Sequence, residues 1–294
     1  MRRFIFGVCV FFLCASSAFA YQDTHAPTLE DLNRAIAIDP DACDAYYDRG
    51  LLWERQGRLL KAIADFSQTI RINPKDADAY GARGGAYVLL DNFTQALSDY
   101  NKALEINPED KGLYYNRGLV FVSLGDLKRS IADFSQAILM DPQYAPSYQN
   151  RGITWERLGD LDKAVADISK SIALDPTDAV AYYNRGICYD QEGRFIDAVN
   201  DFSKAIRLNP HYAQAYTNRG KVYAQLDEWP QARYDFTMAI EMDPQIAQSY
   251  NDRAIVYYRL KEYRKALEDL QKASALGYKV DAGLQGIIKK AVDK

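Results

Sequence analysis

Apolar residues along this chain recur at intervals of three and four, the spacing that places them on one face of a helix. Two such stripes follow each other, the turn between them often holds glycine, as at Gly57, Gly125, Gly159 and Gly193, and a proline then closes the pair. The prolines fall at 40, 74, 108, 142, 176, 210 and 244, an unbroken period of 34. Each period predicts a helical hairpin whose second helix stops at the proline, which lacks an N–H and clashes with the preceding turn. A fixed period in this range predicts a solenoid, so the expected fold class is all-α.

Both ends depart from the period. Thr28 to Asp39 carries only the second stripe, with Leu32 and Ala35 where Phe66 and Thr69 stand one period later. The array is therefore expected to begin on a half-unit, within residues 21–42. After Gly277, residues 281–294 present Leu284, Ile287 and Ile288 on one side and Lys289, Lys290 and Lys294 on the other. This pattern predicts a capping helix, which covers the last core face of a solenoid.

A pentad recurs at the same interval: YYDRG from Tyr46, YGARG from Tyr80, YYNRG from Tyr114, YQNRG from Tyr148, YYNRG from Tyr182, YTNRG from Tyr216 and YNDRA from Tyr250. Taken with Tyr114, Gly118, Phe121, Ser130, Phe134, Ala137 and Pro142, the unit resembles the tetratricopeptide repeat. Seven units share this pattern: 43–76, 77–110, 111–144, 145–178, 179–212, 213–246 and 247–280. The resemblance implies a right-handed alpha-alpha superhelix of antiparallel helix pairs, with the first helix of each pair lining a concave surface.

Positions three, four and seven apart share a helix face, so the first Tyr, the Arg and the Gly of each pentad belong to one packed stripe. Arginine on such a stripe needs a partner, because an isolated buried charge is prohibitively costly. The second helices supply one at the same period. Arg49, Arg83, Arg117, Arg151, Arg185, Arg219 and Arg253 are matched by Asp65, Asp99, Asp133, Asp167, Asp201, Asp235 and Asp269, with Asp31 in the half-unit. A planar guanidinium holds a carboxylate through two hydrogen bonds, so these residues are expected to form structural ion pairs. Pairing within a unit and pairing between units both fit the pattern. The eighth aspartate favours the second, with Asp31 to Arg49, Asp65 to Arg83, and Asp269 left to the cap.

The third pentad position lies about 200 degrees round the helix from the Gly and points away from the packed seam. Asn116, Asn150, Asn184 and Asn218, with Asp48 and Asp252 at the ends, are expected to form a row along the groove, beside Tyr47, Tyr115 and Tyr183. Asparagine both donates and accepts, which suits the backbone of an extended peptide. The row resembles the asparagine ladder of O-linked N-acetylglucosamine transferases, whose catalytic part has no counterpart here. Gly81, Ala82 and Gly85 form a bare notch in the expected lining. The lysines and arginine of the family's carboxylate clamp are replaced by Tyr, Gln, Thr and Leu, so capture of acidic chaperone tails is not expected.

Composition narrows the function. The first 20 residues run from Arg2 and Arg3 through the apolar stretch Phe4 to Leu13 to Ala18-Phe19-Ala20, the order of a cleaved export signal. The apolar stretch is too short to span a bilayer, so no stable membrane insertion is expected after cleavage. Removing Arg2 and Arg3 takes the net charge from −4 to −6, which argues against nucleic acid as a partner. Cys43 and Cys188 stand more than four units apart and are expected to remain thiols. With His25 and His211 the only histidines, and no metal-ligand spacing or phosphate loop, no catalytic residue, metal or cofactor is expected. The sequence thus suggests an exported scaffold, periplasmic or alternatively secreted, that binds an extended segment of another protein in its groove, with envelope or secretion assembly as its setting. The alternatives are a module that self-assembles through the half-unit and a glycan-binding groove.

Overall fold

The computed structural model describes residues 27–292, so the leader expected at residues 1–20 lies outside the described residues. The contact pattern divides the chain after Leu158, and the two stacks are taken in turn. The N-terminal stack opens with α1 (Leu29–Ile38), followed by the pairs α2 (Cys43–Arg55) with α3 (Leu59–Ile72), α4 (Ala77–Leu89) with α5 (Phe93–Ile106), and α6 (Lys111–Leu124) with α7 (Leu127–Met140), and closes with α8 (Ala145–Arg157). The C-terminal stack opens with α9 (Leu161–Leu174), continues through α10 (Ala179–Gln191) with α11 (Phe195–Leu208), α12 (Ala213–Gln225) with α13 (Trp229–Met242), and α14 (Ala247–Arg259) with α15 (Tyr263–Ala275), and ends on α16 (Ala282–Val292). No strand occurs among the described residues. Each stack is a solenoid of packed helix pairs.

Local chemistry sets the helix ends. The Asp76, Asp110 and Asp178 side chains accept from backbone N–H groups at the starts of α4, α6 and α10, satisfying donors that a helix leaves unpaired. Thr28 and Asp31 form a reciprocal capping box on α1. The turn inside each pair requires a left-handed residue, supplied by Gly57, Gly125, Gly159 and Gly193 and, at the same register, by Asp91, Asp227 and Lys261. Glycine adopts that conformation without steric cost, whereas the other three bear some strain.

Within each pair a large side chain from the second helix drives into the small residue of the pentad. Phe66, Tyr100, Phe134, Phe202, Phe236 and Leu270 are almost fully buried in this way, each removal from water contributing about 1.5–3 kcal/mol. A Cβ built on Gly118 would lie 2.7 Å from Cε1 of Phe134, and one on Gly186 2.8 Å from the same atom of Phe202. Here glycine serves close approach and not flexibility. At the C-terminus Ile288 of α16 is buried against Ala254, Ala266 and Leu270, closing the last core.

The arginines and aspartates of the pattern meet, in a register different from the one favoured by the eighth aspartate. Arg49 donates through Nε and Nη2 to both carboxylate oxygens of Asp65 at 2.7 Å, within its own unit. The same fork joins Arg83 to Asp99, Arg117 to Asp133, Arg185 to Asp201, Arg219 to Asp235 and Arg253 to Asp269. The partner of each of these six arginines therefore lies 16 residues after it, not 18 before it. The reason is geometric: the two helices of one hairpin face each other across the Gly–Phe contact, which brings guanidinium and carboxylate together. Asp31, without a first helix before it among the described residues, caps α1.

The remaining guanidinium nitrogen does bind the preceding unit. Nη1 of Arg83, Arg151, Arg185 and Arg219 donates to the hydroxyls of Ser67, Ser135, Ser169 and Ser203 at 2.9–3.0 Å, and Nη1 of Arg49 and Arg117 to Asn33 and Asn101 at 2.7 Å. Thr237 receives Arg253 in the same way. Each of these partners lies 16 residues before its arginine. One side chain thus ties its own hairpin and couples it to the one before.

Candidate functional site

In each stack the first helices touch one another, α2 with α4, α4 with α6 and α6 with α8, then α10 with α12 and α12 with α14. Successive second helices are not paired in this way, so the first helices form the shorter, inner row. The residues expected to line a groove all sit on first helices, but they do not share one role.

Tyr115 and Tyr183 are core residues. Tyr115 is 4% exposed and packs on Phe134 and, edge to face, on Tyr144, whose ring centre lies 5.4 Å away. Tyr183 packs likewise on Phe202 and on Tyr212, here with the two tyrosine rings tilted at 36° and 4.8 Å apart. Tyr47, half-buried, packs on Phe66. The second Tyr of the pentad lies one residue from the packed seam, and its long ring reaches round the helix flank into the junction between units, where burial outweighs solvent contact.

The asparagines divide by what precedes them. Nδ2 of Asn150 donates to the Tyr115 hydroxyl at 3.1 Å and to the Pro146 carbonyl, and Nδ2 of Asn218 donates to the Tyr183 hydroxyl at 3.0 Å. These two are spent on tying neighbouring units together. Asn116 and Asn184 follow units carrying Gly81 and Gln149 at the tyrosine position. Their Oδ1 and Nδ2 atoms, respectively, are buried without a partner, and so is Oδ2 of Asp252. Positions 116, 184 and 252 are 68 residues apart. Unused hydrogen-bonding capacity therefore recurs at every second unit, not at every one.

The alternation is visible in the chain itself. Units with the Tyr–Asn tie have Tyr144 or Tyr212 before the next first helix, where others have Asp76, Asp110, Asp178 or Ile246. The tyrosines make no side-chain cap, exchanging a bond worth about 1 kcal/mol for aromatic packing. The expected notch is also altered. A Cβ on Gly81 would lie 2.9 Å from Cδ2 of Leu113, which occupies that space, and only Gly85 stays open, with Tyr100 Oη 3.8 Å from its ideal Cβ.

Burial governs the ionisation of this row. The carboxyls of Asp48, Asp190 and Asp252 are pushed above the usual range by desolvation, and Lys221 opposes the shift at Asp190 and Asp252. Burial also raises the Tyr115 and Tyr183 phenols, against the stabilising hydrogen bonds from Asn150 and Asn218. A phenol with a raised folded-state pKa contributes stability that is complete below the unfolded value of 10.0 and is lost as pH rises through the folded value. Stability should therefore fall above about pH 10, and Asn218→Ala should change that fall. Denaturation midpoints read against tyrosinate absorbance across the alkaline range test this. A flat midpoint while the buried phenols ionise contradicts it.

Cys43 and Cys188 form no disulfide. Among the described residues no group of histidine, cysteine and acidic side chains has the arrangement of a metal site, and no helix is long and apolar enough to cross a membrane.

Models of the tetratricopeptide repeat match residues 17–84, 84–125, 115–179, 179–212 and 246–277. No curated protein matches the chain. Among solved structures, YrrB, described as a TPR protein with an unusual peptide-binding site, is 24% identical with a TM-score of 0.54, over 63% of this chain and 95% of its own. A tetratricopeptide repeat protein from Parabacteroides merdae is 18% identical with a TM-score of 0.63, over 85% of this chain and 97% of its own. A chain of the APC/C hetero-tetramer Cut9-Hcn1 is 19% identical with a TM-score of 0.63 over 90% of this chain, which spans 52% of that one. At these identities the likeness is one of fold.

Proposed function

Because this chain is built of tetratricopeptide repeats, we propose that it is a protein-binding scaffold, not an enzyme, and that the inner row of each stack receives an extended segment of another protein. The observation that carries this is the unsatisfied polar set at Asn116, Asn184 and Asp252. A buried polar atom left without a partner costs about 1–3 kcal/mol, and packing offers these three no return. An extended backbone, with one donor and one acceptor per residue, supplies what a small shift of each side chain would present. The peptide-binding site in the description of YrrB is consistent with this use of the fold.

Export of the chain is part of the same proposal, supported by the order of basic, apolar and small residues over positions 1–20. In the same proposal the exported scaffold acts in the periplasm or outside the cell, joining components of an envelope or secretion assembly. Mass spectrometry of the protein from its native cells checks the first step, with a mature N-terminus at Tyr21 as the expected result.

Binding is tested by Asn116→Ala combined with Asn184→Ala. The pair should not lower stability, since no bond made by the unpartnered atoms is lost and two buried, unpartnered polar atoms are removed. Asn150→Ala, which strands the Tyr115 hydroxyl, should cost about 1 kcal/mol. A photo-crosslinker at Ile187 on the inner row should capture a partner in the native envelope, and the double variant should lose that capture. Equal capture from Lys170, exposed on second helix α9, would move the binding surface off the inner row.

A further inference from the structure

In an array whose units share one set of packing demands, an inner-row side chain that breaks the internal pattern answers to something other than folding. Position 221 is such a break. At its register stand Leu51, Gly85, Leu119, Ile153, Ile187 and Ile255, whereas α12 carries Lys221. Its neighbours on the flanking inner helices are acidic, Asp190 on α10 and Asp252 on α14, and the lysine acts electrostatically on both. Neither makes a direct ion pair with it, and each keeps one carboxylate oxygen without a partner.

Beside this triplet a cleft of about 260 Å³ opens between α12 and α14. Its walls are Lys221, Ala224, Asp252 and Ile255, and its floor is Phe236 and Val256, both almost fully buried. The volume falls below the range of about 300–1,000 Å³ that holds a small-molecule ligand, so the cleft suits one side chain of a longer partner. The charges select which kind. Lys221 and the two aspartates present both signs of charge, so the triplet selects neither a cation nor an anion, and a charged side chain of either sign would lose hydration over an apolar floor.

We propose that this cleft is a residue-selective subsite that takes one aliphatic or aromatic side chain of an extended protein segment. The segment's carbonyl accepts from the Lys221 ammonium, and its N–H donates to Asp252. This subsite rests on the reading of the inner row as a peptide groove, and it adds which residue the groove selects. An apolar anchor in a pocket with polar groups at its rim is the arrangement from which interfaces draw most of their affinity.

The test begins with peptides selected from a random display library against the purified chain. Fluorescein-labelled copies are then titrated by anisotropy against the parent, Ala224→Trp and Lys221→Glu, with thermal melts confirming that both variants fold. The selected peptides should share an aliphatic or aromatic residue at one fixed position, and changing it to Lys or Glu should weaken binding by about tenfold or more. Ala224→Trp, which fills the cleft, should produce a loss of similar size. Lys221→Glu, a substitution at a solvent-accessible position, should weaken binding several-fold even if the tryptophan variant fails to fold. Peptides that bind equally to parent and variants, yet lose affinity with Asn116→Ala and Asn184→Ala, would overturn the subsite and leave the groove standing. A library that yields no binder overturns both.

Discussion

Replacing Asp235 with alanine is expected to lower stability by about 3–5 kcal/mol, the cost of breaking a buried pair by removing one partner. The Asp235 side chain is 1% exposed and accepts from Nη2 and Nε of Arg219 at 2.7 and 2.8 Å. Without it a guanidinium only 15% exposed, lying over the rings of Tyr216 and Tyr223, is left uncompensated. The loss should not stay within one hairpin. Nη1 of Arg219 also donates to Ser203 of the preceding unit, so hydrogen exchange should quicken in α11 as well as in α12 and α13. Asp41→Ala removes a partner from an ion pair whose side chains are 61% and 73% exposed, and should change stability by less than about 1 kcal/mol. Denaturant melts of the two variants side by side provide the comparison. A loss near that of Asp41→Ala would show that the ladder is solvated and does not hold the array together.

Gly118→Ala is expected to destabilise by about 1–2 kcal/mol, although alanine is the better helix former by about 1 kcal/mol. The new Cβ would lie 2.7 and 2.9 Å from Cε1 and Cδ1 of Phe134, a ring fully enclosed by its surroundings and unable to retreat. The chain already contains the solution to this clash. In the last unit the pentad ends in Ala254, and the residue facing it is Leu270 in place of phenylalanine, both fully buried. Combining Gly118→Ala with Phe134→Leu should therefore cost less than the two single changes added together, by about 1 kcal/mol or more in a double-mutant cycle. Gly85→Ala is the control, because its nearest neighbour is Tyr100 Oη at 3.8 Å and the helix should gain stability. Strict additivity of Gly118→Ala and Phe134→Leu would disprove the steric account.

The period of 34, the helix pairs and the residues of the charge ladder are legible in the chain because every unit states them afresh. A helix wheel gives the face of Arg117 and of Asp133, but it does not say which neighbouring helix brings the partner. That depends on how closely two helices approach, and the approach is set by Gly118 against Phe134. Its angle on the helix alone places Tyr115 in the groove. Its length carries the ring past that angle and into the junction with Tyr144. The alternation of tied and untied asparagines was present in YYNRG against YQNRG and YTNRG, and in Pro-Gln-Tyr and Pro-His-Tyr against Pro-Lys-Asp and Pro-Thr-Asp. Reading the units as equivalents averages that difference away. Comparing Tyr115 with Gly81, and Tyr183 with Thr217, restores it.

The tie between Tyr115 and Asn150 also bears on how such a gene can grow or shrink. Excising residues 145–178 alone would set Asn184 after Tyr115, and a side chain now unpartnered would become tied. Excising residues 145–212 would set Asn218 after Tyr115 and leave Asn116 and Asp252 as they are. Recombination in steps of one repeat thus preserves the architecture and rewrites the inner surface, while steps of two preserve both. For this chain the inherited quantum of fold is 34 codons, and the inherited quantum of recognition is 68.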